Sequence, residues 1–115
     1  MIGPTNPDAV QRNAKDITAS ANADAVIAIA ADAQHHWVID TVHCSYKLGS
    51  ATTGMLTIAI GGTTLHQVDI VANGVYEFIF EHGLYKTAET KNEQAVITLA
   101  AGGTSVVGKV NCTYR

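Results

Sequence analysis

Charge is scarce in this chain. Of its 115 residues only 15% are Asp, Glu, Lys or Arg, against about a quarter in an average soluble domain. The seven cations, Arg12, Lys15, Lys47, Lys86, Lys91, Lys109 and Arg115, are scattered, and the formal net charge is -3. No basic patch for a phosphate backbone is present, so nucleic acid is not an expected partner. Apolar runs long enough to cross a bilayer are also missing. The opening Met1-Ile2-Gly3-Pro4-Thr5-Asn6-Pro7 lacks a basic region followed by an apolar stretch. The expectation is a chain that is made in the cytoplasm of its producer and enters no membrane. The two cysteines, Cys44 and Cys112, lie 68 positions apart without CxxC spacing, which excludes a disulfide scaffold. In a reducing compartment they are expected as free thiols packed like small apolar side chains. Helical periodicity is lacking too, since no window holds a 3.6-residue repeat over three turns.

What is there in quantity is apolar surface, 47% of residues, too much for a disordered chain. From Ala25 onward it is arranged in short segments parted by glycine or asparagine turns, which predicts an all-β fold of one domain. The predicted strands are Ala25–Ala31, His35–Tyr46, Gly54–Ile60, Thr64–Ala72, Val75–Glu81, Ala95–Ala101 and Ser105–Tyr114. Gly61-Gly62 and Asn73-Gly74 suit tight hairpin turns, so the middle three segments are expected to form a meander. Gly102-Gly103 is expected to close a last hairpin, and Lys86–Gln94 reads as an exposed loop. In the last strand Val106, Val110, Cys112 and Tyr114 share one face, and Lys109, Asn111, Thr113 and Arg115 share the other. Tyr76, Phe78 and Phe80 likewise oppose Val75, Glu77, Ile79 and Glu81. Ala25–Ala31 and Gly54–Ile60 carry apolar residues on both faces, which a two-layer monomer does not require and a subunit interface does. Residues 1–23 show no strand pattern. They read either as a loose terminus with a short helix on Ala9–Lys15, or as an arm that orders on a neighbouring subunit. The domain organisation is therefore an N-terminal arm, 1–23, and a β-sandwich, 24–115.

Chemistry-bearing groups do not assemble along this pattern. His35 and His36, adjacent on a predicted strand, point to opposite faces, and His36 and Asp40 are about 13 Å apart at strand rise. No metal and no cofactor is expected. Serines and threonines occur without a GxSxG signature. Glu77 and Glu81 are about 13 Å apart, beyond the spacing of a glycosidase pair, and read as solvated charges that blunt a strand edge. The glycine pairs at 61–62 and 102–103 lie between strands and lead into no helix, so they are turns and not phosphate loops. Trp37, Tyr46, Tyr76, Tyr85 and Tyr114 are candidates for a sugar-stacking platform, but alternation turns Tyr76 and Tyr114 inward. Tyr85, beside the polar loop, is the best exposed ring. An immunoglobulin domain places its Trp between two bridged cysteines, whereas Trp37 precedes both Cys44 and Cys112. A jelly-roll-like antiparallel sandwich of seven to eight strands is the expected architecture.

The segments His36-Trp37-Val38-Ile39, Cys44-Ser45-Tyr46, Val75-Tyr76-Glu77-Phe78, Gly83-Leu84, Asn92-Glu93 and Val107-Gly108-Lys109-Val110-Asn111 together resemble small β-sandwich virion-surface proteins of tailed bacteriophages, the capsid decoration or cement proteins. The resemblance spans about residues 35–115 and lies in general texture more than in a diagnostic motif. It implies a non-enzymatic homotrimer that binds the major capsid protein on an assembled head, and so a location on the virion. It also implies an N-terminal segment available for contacts. The contact residues so implied are Ile2, Pro4, Asn6, Pro7, Val10 and Arg12, to which Tyr85 is added for its expected exposure. The alternative is a tail-fibre module that recognises a cell-surface glycan or protein; a small β-sandwich enzyme is a third reading.

Overall fold

The computed structural model describes residues 13–47, 53–71, 74–87 and 91–115. They form eight strands and, among the described residues, no helix: β1 (Asn13–Thr18), β2 (Ala25–Ile29), β3 (Ile39–Lys47), β4 (Thr53–Ile60), β5 (Thr63–Val71), β6 (Gly74–Leu84), β7 (Ala95–Leu99) and β8 (Val107–Tyr114). Two four-stranded sheets result, in the orders β1-β8-β3-β6 and β2-β7-β4-β5, and every pairing is antiparallel. This is a jelly roll. All consecutive strands except β4 and β5 lie in different sheets, so nearly every connection crosses the sandwich.

Alternation builds the core. Ile27 and Ile29 of β2, Val42, Cys44 and Tyr46 of β3, Leu56 and Ile58 of β4, Ile97 and Leu99 of β7, and Val110 and Cys112 of β8 all face the space between the sheets and are buried. Each two-residue step returns a side chain to the same face, which is why these short apolar repeats read as strands. The Gly61-Gly62 turn between β4 and β5 has φ of 58° and 80°, the two positive values of a type I′ hairpin.

Three sequence expectations need correction. The meander does not form: β5 and β6 belong to opposite sheets, and β6 pairs with β3. Nor do β7 and β8 form a hairpin. The chain after Leu99 is drawn away from β7, with Ala100 N–H bonded to Met55 O and Ala101 N–H to Asp24 Oδ1, and it enters β8 in the other sheet. Glycine-rich turns specify a local reversal, and a jelly-roll corner uses the same residues to change sheets. Finally, β1 is a strand inside the segment expected to carry no strand pattern, and residues 13–15 are strand where the short helix on Ala9–Lys15 was one expectation, its residues 9–12 lying outside the described ones. All six of its residues are exposed, so it has no inside–outside alternation to read, and it is held by its backbone ladder to β8. The remainder of the expected arm, 1–12, lies outside the described residues, as does Asn73.

Candidate functional site

The outer face of the β1-β8-β3-β6 sheet is ordered in rows that run across three strands. Thr113, Thr41 and Ile79 form one row, Asn111, His43 and Glu77 the next, and Lys109, Ser45 and Val75 the third. The rows are polar on β8 and β3. Thr41 and Thr113 share a hydroxyl–hydroxyl hydrogen bond of 2.7 Å, and His43 Nε2 lies 3.6 Å from Glu77 Oε2. On β6, the edge strand, the outer two rows end in Val75, 78% exposed, and Ile79, 68% exposed. Beside Val75 is a shallow groove of about 220 Å³ lined by His43, Cys44, Ser45, Val75, Lys109 and Asn111. The strip ends where the β3–β6 register shifts between Ile39 and Thr41. There Gly83 takes a φ of 81° and its Cα lies against the Val38 side chain.

A second cluster sits at one end of the sandwich. Val38 and Arg115 exchange both backbone hydrogen bonds at 2.9 Å, and Arg115 Nε donates to Asp40 Oδ1 at 3.1 Å. Around them a groove of about 380 Å³ is lined by Gln34, His35, His36, Val38, Lys91 and Arg115. His35 and His36 lie before β3, not on it, so the opposite-face argument does not apply to them; their neighbours separate them instead. His35 Nδ1 is 3.2 Å from Asp32 Oδ2 and its ring stacks on Trp37 at 5.6 Å, while His36 meets Tyr85 at 5.9 Å. The backbone N–H of Gln34, donating to Asp32 Oδ1 at 2.8 Å, holds the Asp32 carboxyl below its ordinary range with help from the His35 side chain. Among the described residues no three His, Cys, Asp or Glu side chains gather as a metal-holding group. Trp37 donates to Ala30 O at 3.1 Å and packs nearly perpendicular to the ring of Tyr114 at 5.5 Å. Tyr85 is 44% exposed. The other expected contact residues, Ile2, Pro4, Asn6, Pro7, Val10 and Arg12, lie outside the described residues.

Both cysteines are buried thiols on neighbouring strands, and burial raises both, Cys44 to about 11. Val26 of β2 is exposed on the outer face, as the two-sided apolar pattern of Ala25–Ala31 implied, whereas the exposed Ile17 of β1 went unremarked in the sequence: it stands opposite the buried Val110, and its exposure depends on where the sheet edge falls, which alternation within a strand does not encode.

The strand order and this surface define a class, the small jelly-roll β-sandwich. No protein-family model matches the chain, and no curated protein matches it. Among solved structures it is similar to the carbohydrate-binding module CBM36 in complex with calcium and xylotriose, at 14% identity and a TM-score of 0.50, covering 90% of this chain and 87% of that one. It is also similar to PirA, at 11% identity and a TM-score of 0.51, covering 93% and 99%. At these identities the likeness is one of fold. No helix among the described residues is long and apolar enough to cross a membrane.

Proposed function

We propose that the chain is a non-enzymatic structural protein of a bacteriophage virion, a decoration protein that self-associates and seats on the assembled head through the outer face of the β1-β8-β3-β6 sheet. One observation carries the reading, the two exposed apolar side chains Val75 and Ile79, one on each side of Glu77, at the border of an otherwise polar face. The water-facing side of an antiparallel sheet is ordinarily polar, and exposed apolar groups rimmed by polar ones mark contact surfaces for other proteins. Covering such a strip gains about 25 cal/mol for each Å² of apolar surface removed from water. The likeness of residues 35–115 to phage decoration proteins supplies the head as the partner and three as the copy number.

A glycan-binding fibre module is the competing reading. A pyranose needs a flat ring open to solvent, yet Trp37 is engaged by His35 and Tyr114, and Tyr85 is the exposed aromatic among the described residues. A protein partner is favoured. The test is co-sedimentation with expanded phage heads, comparing the unaltered protein with Val75→Asp and Ile79→Asp. The unaltered protein should pellet with heads and each variant should lose affinity by about tenfold or more, the effect of one buried apolar anchor. A protein that stays in the supernatant while binding cell-surface glycans would replace this reading with the other.

A further inference from the structure

On β6, Val75 and Ile79 stand two residues to either side of Glu77, so the three side chains share the outer face and alternate apolar, acidic, apolar over about 13 Å. Both apolar groups are exposed, and the Glu77 side chain is 51% exposed. A partner that covers the two apolar ends covers the carboxylate between them. The apolar contact therefore carries an electrostatic condition, because a carboxylate taken out of water without a cation is strongly unfavourable.

Within the chain that condition is not met by a permanent charge. His43, opposite Glu77 in the register, brings Nε2 to 3.6 Å from Oε2. That is longer than a hydrogen bond, and an imidazole is a cation only when protonated. Lys109 of β8 lies two strands away and one row along, about 12 Å at sheet spacing. Among the described residues no lysine or arginine pairs with Glu77.

We propose that the partner supplies the cation: an arginine side chain of the head surface that lies between Val75 and Ile79 and caps Glu77. This rests on the reading of the outer face as the head contact and adds the chemistry that the head presents there. Arginine fits better than lysine. Its apolar stem lies along the two aliphatic side chains, while the planar, weakly hydrated guanidinium offers two parallel N–H groups to the carboxylate. An ammonium holds its water more tightly and has no such fork. The pair also sets specificity, since a partner with an apolar or acidic group at that point leaves Glu77 covered and unpaired.

Two measurements on the full chain test this, one without heads and one with them. In the first, the blocked tripeptide acetyl-Val-Arg-Val-amide is titrated into the protein and followed by NMR. The amide shifts of Val75, Glu77 and Ile79 should move together at millimolar peptide. Glu77→Gln should weaken the peptide about three- to fivefold, the measure of an exposed charge pair. His43→Lys gives Glu77 a cation from the neighbouring strand and should weaken it likewise, with thermal melts checking that each variant stays folded. In the second, co-sedimentation with expanded phage heads, Glu77→Gln should lose about thirtyfold or more, because there the pair is shielded from water. The sign decides, since removing a charge that was covered without a cation would strengthen head binding. Peptide shifts that are absent or indifferent to Glu77→Gln, or head binding that is unchanged or strengthened by it, would each overturn the inference and leave the decoration reading intact. Heads that bind no form of the protein, while the peptide behaves as expected, would overturn the decoration reading and leave an arginine-accepting site on β6.

Discussion

At the scale of single residues, Tyr46 shows how closely the interior is filled. Its side chain is 1% exposed, its hydroxyl donates to Ala100 O at 2.5 Å, and its ring is accommodated because position 54 is glycine. A Cβ at that position would overlap the phenol oxygen and press on Ala100 O. Gly54→Ala should therefore destabilise the fold by about 1–3 kcal/mol through overpacking. Tyr46→Phe should cost about 1–3 kcal/mol by leaving a buried carbonyl without its donor. Combining them tests the geometry: the overlap involves the hydroxyl that Tyr46→Phe removes, so the double variant should cost less than the sum in denaturant melts. Burial also pushes Tyr46 to about 12 and Cys44 to about 11. The folded protein keeps these protons at pH values where the unfolded chain has released them, so stability is full below about pH 9 and falls as pH rises toward 12. The melting temperature should be level from pH 7 to 8.5 and decline through that alkaline window. Cys44→Ala should flatten the lower part of the decline.

At the scale of elements, β6 and β1 are edge strands of opposite character. β6 has a clean alternation, with Tyr76, Phe78 and Phe80 packed against the core and the ring of His66 of β5 steeply inclined to those of both phenylalanines at 5.3 Å. Its outer side chains make no comparable packing, so Val75→Asp and Ile79→Asp should leave stability within about 0.5 kcal/mol, as for most surface substitutions, while head binding falls. A matching loss of stability in thermal melts would mean that the strip serves the fold and not a partner. The alternation of β6 and β8 was legible in the sequence because one face of each is buried. That of β1 was not, because a strand exposed on both faces is specified by its partner strand alone.

At the scale of the whole molecule, the jelly roll joins parts of the chain that are far apart in sequence. Asn13 pairs with Tyr114, and Thr41 with both Ile79 and Thr113. Loop closure over such separations is costly before any contact rewards it. Refolding from denaturant is therefore expected in milliseconds to seconds, the slow end for a domain of this size. A stopped-flow trace complete within microseconds would contradict the strand order described here.

The sequence by itself determined the class of fold, most strand positions and which residues face inward, because period-two alternation and glycine turns are local consequences of backbone geometry. It also carried the burial of Cys44 and Cys112 and the outward placing of Val75, Ile79 and Tyr85. Only the tertiary structure decided which strands pair. Gly61-Gly62 makes a hairpin while Gly102-Gly103 leads into a change of sheet, and the difference lies in the distant groups, Met55 and Asp24, that take up the backbone of Ala100 and Ala101. Tertiary structure likewise set β1 beside β8 and aligned Val75 and Ile79 with the polar rows of β3 and β8. These are properties of two sheets meeting, and no single segment contains them.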